Sequence, residues 1–308
     1  MIVYREIKSV ECDLGFSAKT LFALSNNLSD HYKTFLLPKR DGGVRTLYIP
    51  DYALKKVQRA IAEKILSHVP VSKYATAYKY GASVQKNARV HVGSKKLLKL
   101  DILHFFDSIY YTAVKEKVFP RERFAESIRV LLTMLCYHKD LLPQGAPTSP
   151  VITNILMREF DEIVGNWCDE RNITYTRYCD DMTFSGDFDE MVLEQFVRCE
   201  LLKNGFLLNR KKRVLACRGK RQTVTGLVVN DKLNVTSEYR KKIRQEIYFC
   251  QKFGLTEHLQ RIGEEDEKRY LSSLLGRISF VLQTRRDDKE FNNYKSFVKE
   301  LLKTNKTT

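Results

Sequence analysis

No stretch of this sequence is apolar for long enough to cross a membrane, and the N-terminus, MIVYREIKSVECD, is too evenly charged to form a signal-peptide core. These absences lead us to expect a soluble, cytoplasmic chain with no membrane partner. Glycine and proline are scarce, 14 and 7 in 308 residues, and there is no internal repeat, low-complexity block or flexible linker. That composition argues against disorder over most of the length. The seven cysteines, at positions 12, 136, 168, 179, 199, 217 and 250, are odd in number and form no CxxC pair. The six histidines are equally dispersed, so neither a zinc site nor a disulfide framework is expected.

Acidic residues are also in short supply. The chain carries 53 Lys and Arg against 37 Asp and Glu, a formal charge of +16. From Leu201 to Asn230 there is no acidic residue at all, while Lys203, Arg210, Lys211, Lys212, Arg213, Arg218, Lys220 and Arg221 fall within that run. Arg240, Lys241, Lys242 and Arg244 continue it. A one-sided field of this kind favours a polyanionic partner, and a structured RNA suits it through phosphate contacts and groove shape.

The apolar periodicities predict mixed α+β structure. FLLPKRDGGVRTLYIP reads as a β-hairpin with DGG at its turn. DYALKKVQRAIAEKILSHV follows as an amphipathic helix, with Leu54, Val57, Ile61 and Ile65 on one face. KKLLKLDILHFFDSI is a short buried strand entering a bend, and helical patterns fill 112–138 with a break at Pro120. SPVITNILMREFDEIVGNWCDE reads as one helix with Ile152, Ile155, Leu156, Phe160, Ile163 and Trp167 on its apolar face. Two strands flank an Asp pair in 172–186, and a helix closed by Gly205 comes next. FLLN and TVTGLVV are strand-like, and the chain turns helical and basic from Ser237 onward.

Three carboxylates stand out against this background. Asp101 lies near the end of a predicted strand, and Asp180–Asp181 interrupts an apolar hairpin. If the strands are neighbours, the three converge, and such a cluster suits hard divalent cations and in-line phosphoryl transfer. A bare Asp pair also serves hairpin turns, and the residues alone leave both readings open. Asp287–Asp288, in QTRRDDKEF, is expected to be a solvated face.

The order of the tags distinguishes these readings. LKLDILHFF at 98–106, LPQGAPTSP at 142–150 and YCDD at 178–181 resemble motifs A, B and C of reverse transcriptases, and GFLLNRKK at 205–212 resembles motif D. NARVH at 87–91 and VTG at 224–226 are similar to patterns of retron reverse transcriptases. The resemblance spans roughly residues 35 to 285. It implies an α+β right-hand polymerase fold: an N-terminal extension and fingers over 1–92, an RRM-like palm sheet with fingers helices and metal site over 93–235, and an RNA-binding helical thumb over 236–308. By the same resemblance, palm, fingers and thumb would account for this length, and no RNase H, integrase or endonuclease domain is expected within it.

The same resemblance implies roles. Asp101, Asp180 and Asp181 would be catalytic and hold two Mg²⁺ ions, Asp101 and Asp180 foremost. Phe106 would be the steric gate against a ribose 2′-OH. Arg45 would grip the triphosphate, Gln144 and Gly145 would support the incoming nucleotide, and Lys212 would protonate the departing pyrophosphate. Arg213 stands where Thr is usual, so Lys211 is an alternative to Lys212. Cys179 stands where Ala is more common. Asn87, His91, Lys220, Arg221, Val224, Thr225, Gly226, Arg240 and Lys241 would contact RNA.

Implied partners are deoxynucleoside triphosphates, a structured noncoding RNA and its DNA product, a host RNase H and a separate effector protein. The implied activity is RNA-directed synthesis of multicopy single-stranded DNA, primed from an RNA 2′-OH, in anti-phage defence. A non-retron bacterial reverse transcriptase and a catalytically silent RNA-binding module are the alternatives.

Overall fold

The structure, a computed structural model, describes residues 3–38 and 42–304. Its elements cluster into two compact units, one holding the residues up to Ala82 together with Leu98–Leu215, the other Ser83–Leu97 together with the residues from Ala216 onward. This two-way division differs from the three consecutive segments expected above. Residues 83–97 join the C-terminal part because their side chains, Ala88 and Leu97 among them, complete its core.

In the first unit, β1 (Tyr32–Pro38) and β2 (Val44–Pro50) form the expected antiparallel hairpin, in a register that sets Leu37 opposite Arg45. Asp41, at the expected turn, lies outside the described residues. The helix after the hairpin starts where Asp51 accepts a hydrogen bond from Leu54 N (2.9 Å), an N-cap satisfying an otherwise unpaired amide. It runs as an α-helix over Tyr52–Ala60 and continues with π geometry over Ile61–Leu66. Leu54, Val57, Ile61 and Ile65 are buried, as their spacing requires.

The main sheet contains β3 (Lys96–Leu103), β4 (Thr174–Tyr178), β5 (Asp181–Gly186) and β6 (Leu207–Leu208) in the order β4-β5-β3-β6. Leu98, Leu100, Ile102, Tyr175, Met182 and Phe184 carry this sheet into one apolar core with Phe160, Val164, Leu193 and Val197. The hairpin β4–β5 is antiparallel, pairing Tyr178 with Asp181. The next helix, Glu190–Lys203, is capped by Asp189, and Gly205 follows it with φ 79°.

The expected single helix over 149–170 is two, Ser149–Leu156 and Arg158–Asp169, meeting at Met157 (ψ 0°). The break re-phases the second helix, so Phe160, Val164 and Cys168 face the core at i, i+4 spacing and Ile163 is 40% exposed. Trp167 is only half-buried, stacked on Phe196 with ring centroids 4.5 Å apart.

β7 (Val214–Cys217), which pairs with β3, leads into the second unit, where β8 (Thr223–Val224) and β9 (Leu227–Val228) form a tight hairpin. Helices follow over Ser237–Phe253, Leu255–Ile262, Glu267–Thr284 and Lys289–Thr304. Val224, Leu227, Ile243, Ile247, Leu274, Ile278 and Phe291 form their core. Asp288 corrects an expectation here. It is 7% exposed rather than solvated, because it pairs with Arg240 (2.8 Å) and accepts from Phe291 N (3.2 Å) at the start of the last helix. Asp287 beside it is exposed. Among the described residues, no helix is long and apolar enough to cross a membrane.

Candidate active site

Cys179 and Asp180 make the two-residue connection between β4 and β5. Cys179 has φ 63°, a left-handed conformation that turns the chain tightly. Ile102 N of β3 donates to the Asp180 carbonyl (3.2 Å), which draws the turn against the strand carrying Asp101. Asp101, Asp180 and Asp181 therefore line one cavity of about 600 Å³ in the first unit, where Arg45, Phe106, Gln144 and Lys212 also stand.

Negative charge in this cavity is incompletely offset. Burial, then Asp180 and Asp101, push the Asp181 carboxyl up to about 6, and Lys212 and Lys99 only partly oppose them. Asp101 is 3% exposed and held at both oxygens: Asn209 Nδ2 donates to Oδ1 and Lys212 Nζ to Oδ2, each at 2.9 Å. Burial works against the Lys212 ammonium, but its Asp101 hydrogen bond and the three carboxylates outweigh it and raise its pKa. Among the described residues, no three His, Cys, Asp or Glu side chains already stand as a metal-holding set, and Asp101 is turned to Lys212 and Asn209 instead. Hard oxygen donors carrying unrelieved mutual repulsion nonetheless suit a divalent cation.

The remaining cavity residues come from three elements. Arg45 is exposed on β2. Phe105 is buried while Phe106, in edge contact with it, is half-buried on the cavity wall. Tyr48 N donates to the Gln144 carbonyl (2.9 Å), tying the PQG loop to β2. Gly145 does not line the cavity. Its φ is 121°, and a Cβ there would sit 2.8 Å from the Tyr48 carbonyl oxygen, so the close backbone approach it permits is to β2.

Some residues that shape the site were not singled out by sequence reasoning. Asn209 holds Asp101 twice, since its backbone N also donates to the Asp101 carbonyl (2.8 Å). Its signal was its place three residues before Lys212. Arg177 and Asp161, fully buried 2.6 Å apart, carried no such signal, because a charged pair reads as surface until the fold closes over it. Of the two motif D candidates, Lys212 makes the Asp101 contact.

The residues expected to contact RNA fall in the second unit. Asn87, His91 and Val224 are buried. Thr225 (φ 46°) and Gly226 (φ 81°) form the β8–β9 turn, with Thr225 Oγ1 donating to the Val84 carbonyl (3.2 Å). Arg240 points inward, bound to Asp288 and Glu290 and stacked over Phe291. Arg221 pairs with Glu238 at the surface, and Lys220 and Lys241 are exposed.

The family described as reverse transcriptase (RNA-dependent DNA polymerase) matches residues 37–271. The chain is 33% identical over 307 residues to the retron Mx65 reverse transcriptase of Myxococcus xanthus, covering 91% of this chain and 68% of that protein. It is 31% identical over 242 residues to the retron Ec83 reverse transcriptase of Escherichia coli, covering 73% and 77% respectively. It is 30% identical over 251 residues to the retron Ec86 reverse transcriptase of Escherichia coli, covering 79% and 78%.

Proposed function

The chain belongs to the retron reverse transcriptases, and we propose that its RNA-directed DNA polymerase activity resides in the cavity lined by Asp101, Asp180 and Asp181. The convergence of these carboxylates from two neighbouring strands, within a right-hand polymerase fold, is the observation that carries the assignment. They would hold divalent Mg²⁺ ions, which when bound activate the attacking hydroxyl and stabilise the leaving pyrophosphate.

The chain's own side chains supply the rest. Arg45 offers a planar fork for triphosphate oxygens, and its exposure leaves the guanidinium available. Phe106, half-buried on the cavity wall, would stand where a ribose 2′-OH clashes with it. Gln144 is fixed through its backbone to β2, so its side chain meets the nucleotide from a braced loop. Lys212, charged and already at the carboxylates, is placed to donate a proton to pyrophosphate.

The biological reading is narrower than the chemistry. The template would be a cognate structured noncoding RNA whose 2′-OH primes synthesis of multicopy single-stranded DNA. A separate RNase H would trim that template, and a separate effector protein would act with the complex in anti-phage defence. The similarity to retron enzymes supports this reading. So does the exposed basic surface at Lys220 and Lys241.

The test is to express the protein with its native flanking DNA and sequence the nucleic acid that co-purifies, with Asp180→Ala/Asp181→Ala in parallel. The expected product is a short, discrete single-stranded DNA joined to RNA, absent from the double variant. Bound RNA without DNA, from a protein active on generic primed templates, would overturn the retron substrate while leaving the polymerase.

A further inference from the structure

Cys179, the residue where the chain departs from the more usual small Ala, is gripped from two directions. Its carbonyl accepts a hydrogen bond from Arg177 Nη1 at 2.8 Å, and its Sγ accepts one from the Tyr78 phenol at 3.2 Å. The two donors belong to one closed circuit. Arg177 Nη2 donates to Asn154 Oδ1 (3.3 Å), Asn154 Nδ2 donates to the Ala77 carbonyl (2.8 Å), and Tyr78 is the next residue. The backbone reinforces it: Arg177 N donates to Tyr74 O (2.9 Å), and Thr76 N donates to Arg177 O (2.8 Å). Residues 74–76 thus run beside β4, and Tyr78, itself at φ 55°, brings its ring back over the turn.

We propose that Tyr78 is a positioning residue for polymerisation, acting through its hydrogen bond to Cys179 to fix the turn that presents Asp180 and Asp181. The inference rests on the assignment of those aspartates as catalytic. A non-glycine residue at positive φ is costly and holds only where its surroundings determine it. Arg177 fixes the peptide plane of Cys179, and Tyr78 fixes the side-chain torsion. With both in place the following carbonyl, that of Asp180, stays aimed at Ile102 N, and the turn stays against Asp101. Without the Tyr78 contact one of the two constraints is gone, and the carboxylates sample positions off the productive geometry. Because Tyr78 also lines the cavity, the contact sits where substrate would meet it.

The test is a double-mutant cycle on single-nucleotide incorporation with an RNA template. Tyr78→Phe, Cys179→Ala and the double variant are compared for incorporation rate at saturating dNTP, apparent dNTP KM and thermal midpoint. Each single variant is expected to lower the rate by about 3- to 30-fold with KM little changed, and the double variant to be no slower than the slower single. Cys179→Ser, which keeps an acceptor, should recover part of the rate lost in Cys179→Ala, but only while Tyr78 is present. Multiplicative losses in the double variant, or equal rates for the Ser and Ala variants, would overturn the proposal. So would losses that simply track the thermal midpoint. Asp180→Asn in the same assay separates the two readings: if it still polymerises at the wild-type rate, the site assignment fails rather than the Tyr78 contact alone.

Discussion

Lys212 Nζ lies 2.9 Å from Asp101 Oδ2, so the lysine proposed to assist pyrophosphate also screens the carboxylate a cation would use. Replacing Lys212 with Ala should tighten Mn²⁺ binding to the nucleic-acid-free protein by about 2- to 5-fold, the range of a half-exposed ion pair. The same change should slow incorporation by about 10²-fold through loss of a general acid. Electron paramagnetic resonance of free Mn²⁺ reads the first effect and single-turnover kinetics the second. Lys211→Ala should leave both near wild type; equal effects at the two lysines would refute the distinction.

Arg177 and Asp161 form an ion pair with both side chains fully buried. Arg177→Met strands a buried carboxylate and should cost about 3–5 kcal/mol in urea unfolding. Arg177→Met/Asp161→Leu should regain much of that stability. It should not regain polymerisation, because the Cys179 carbonyl still lacks its donor. Activity returning together with stability would show that the pair serves only the core.

Gly145→Ala places a methyl group 2.8 Å from the Tyr48 carbonyl at a φ of 121°. The loop must move, at a cost of about 1–3 kcal/mol. Since that loop carries Gln144, the dNTP KM should rise more than the rate falls. A variant with wild-type melting and an unchanged KM would remove Gly145 from the site's construction.

His91 is buried, and burial pulls its pKa from 6.5 down to about 4. The unfolded chain binds this proton more readily than the folded one, so its contribution to stability is complete above pH 6.5 and declines as pH falls toward 4. The loss should be about 2 kcal/mol at pH 5 relative to pH 8. Denaturant titrations at the two pH values should show that difference in wild type and a smaller one in His91→Asn. An equal pH dependence in both would exclude His91 as its source.

Much of this architecture was legible because apolar spacing is local information. Leu54, Val57, Ile61 and Ile65 announced a helix, and the alternation around Asp180–Asp181 announced a hairpin. The misread elements were those decided by partners distant in sequence. Asp288 looked solvated beside its charged neighbours, yet Arg240, 48 positions earlier, draws it inward. That pairing also leaves Arg240, an expected RNA contact, mostly buried against Asp288. Met157 offers no proline or glycine to mark the helix break, so one continuous helix was the natural reading of the sequence. Asn209 and Tyr78 were missed for another reason: their places in the site rest on hydrogen bonds to Asp101 and Cys179, and no periodicity encodes those.

The second unit is built from Ser83–Leu97 and the residues from Ala216 onward. During synthesis, its first piece leaves the ribosome while its remaining core is still untranslated. About 120 residues separate the two pieces, an interval on the order of ten seconds at typical elongation speeds. Throughout that interval Ala88 and Leu97 lack the part of their core that comes from Val224 onward. The nascent chain is therefore expected to be most open to chaperone capture, or to misfolding, during translation of the main sheet, and slow codons placed after Ala216 would not shorten that exposure.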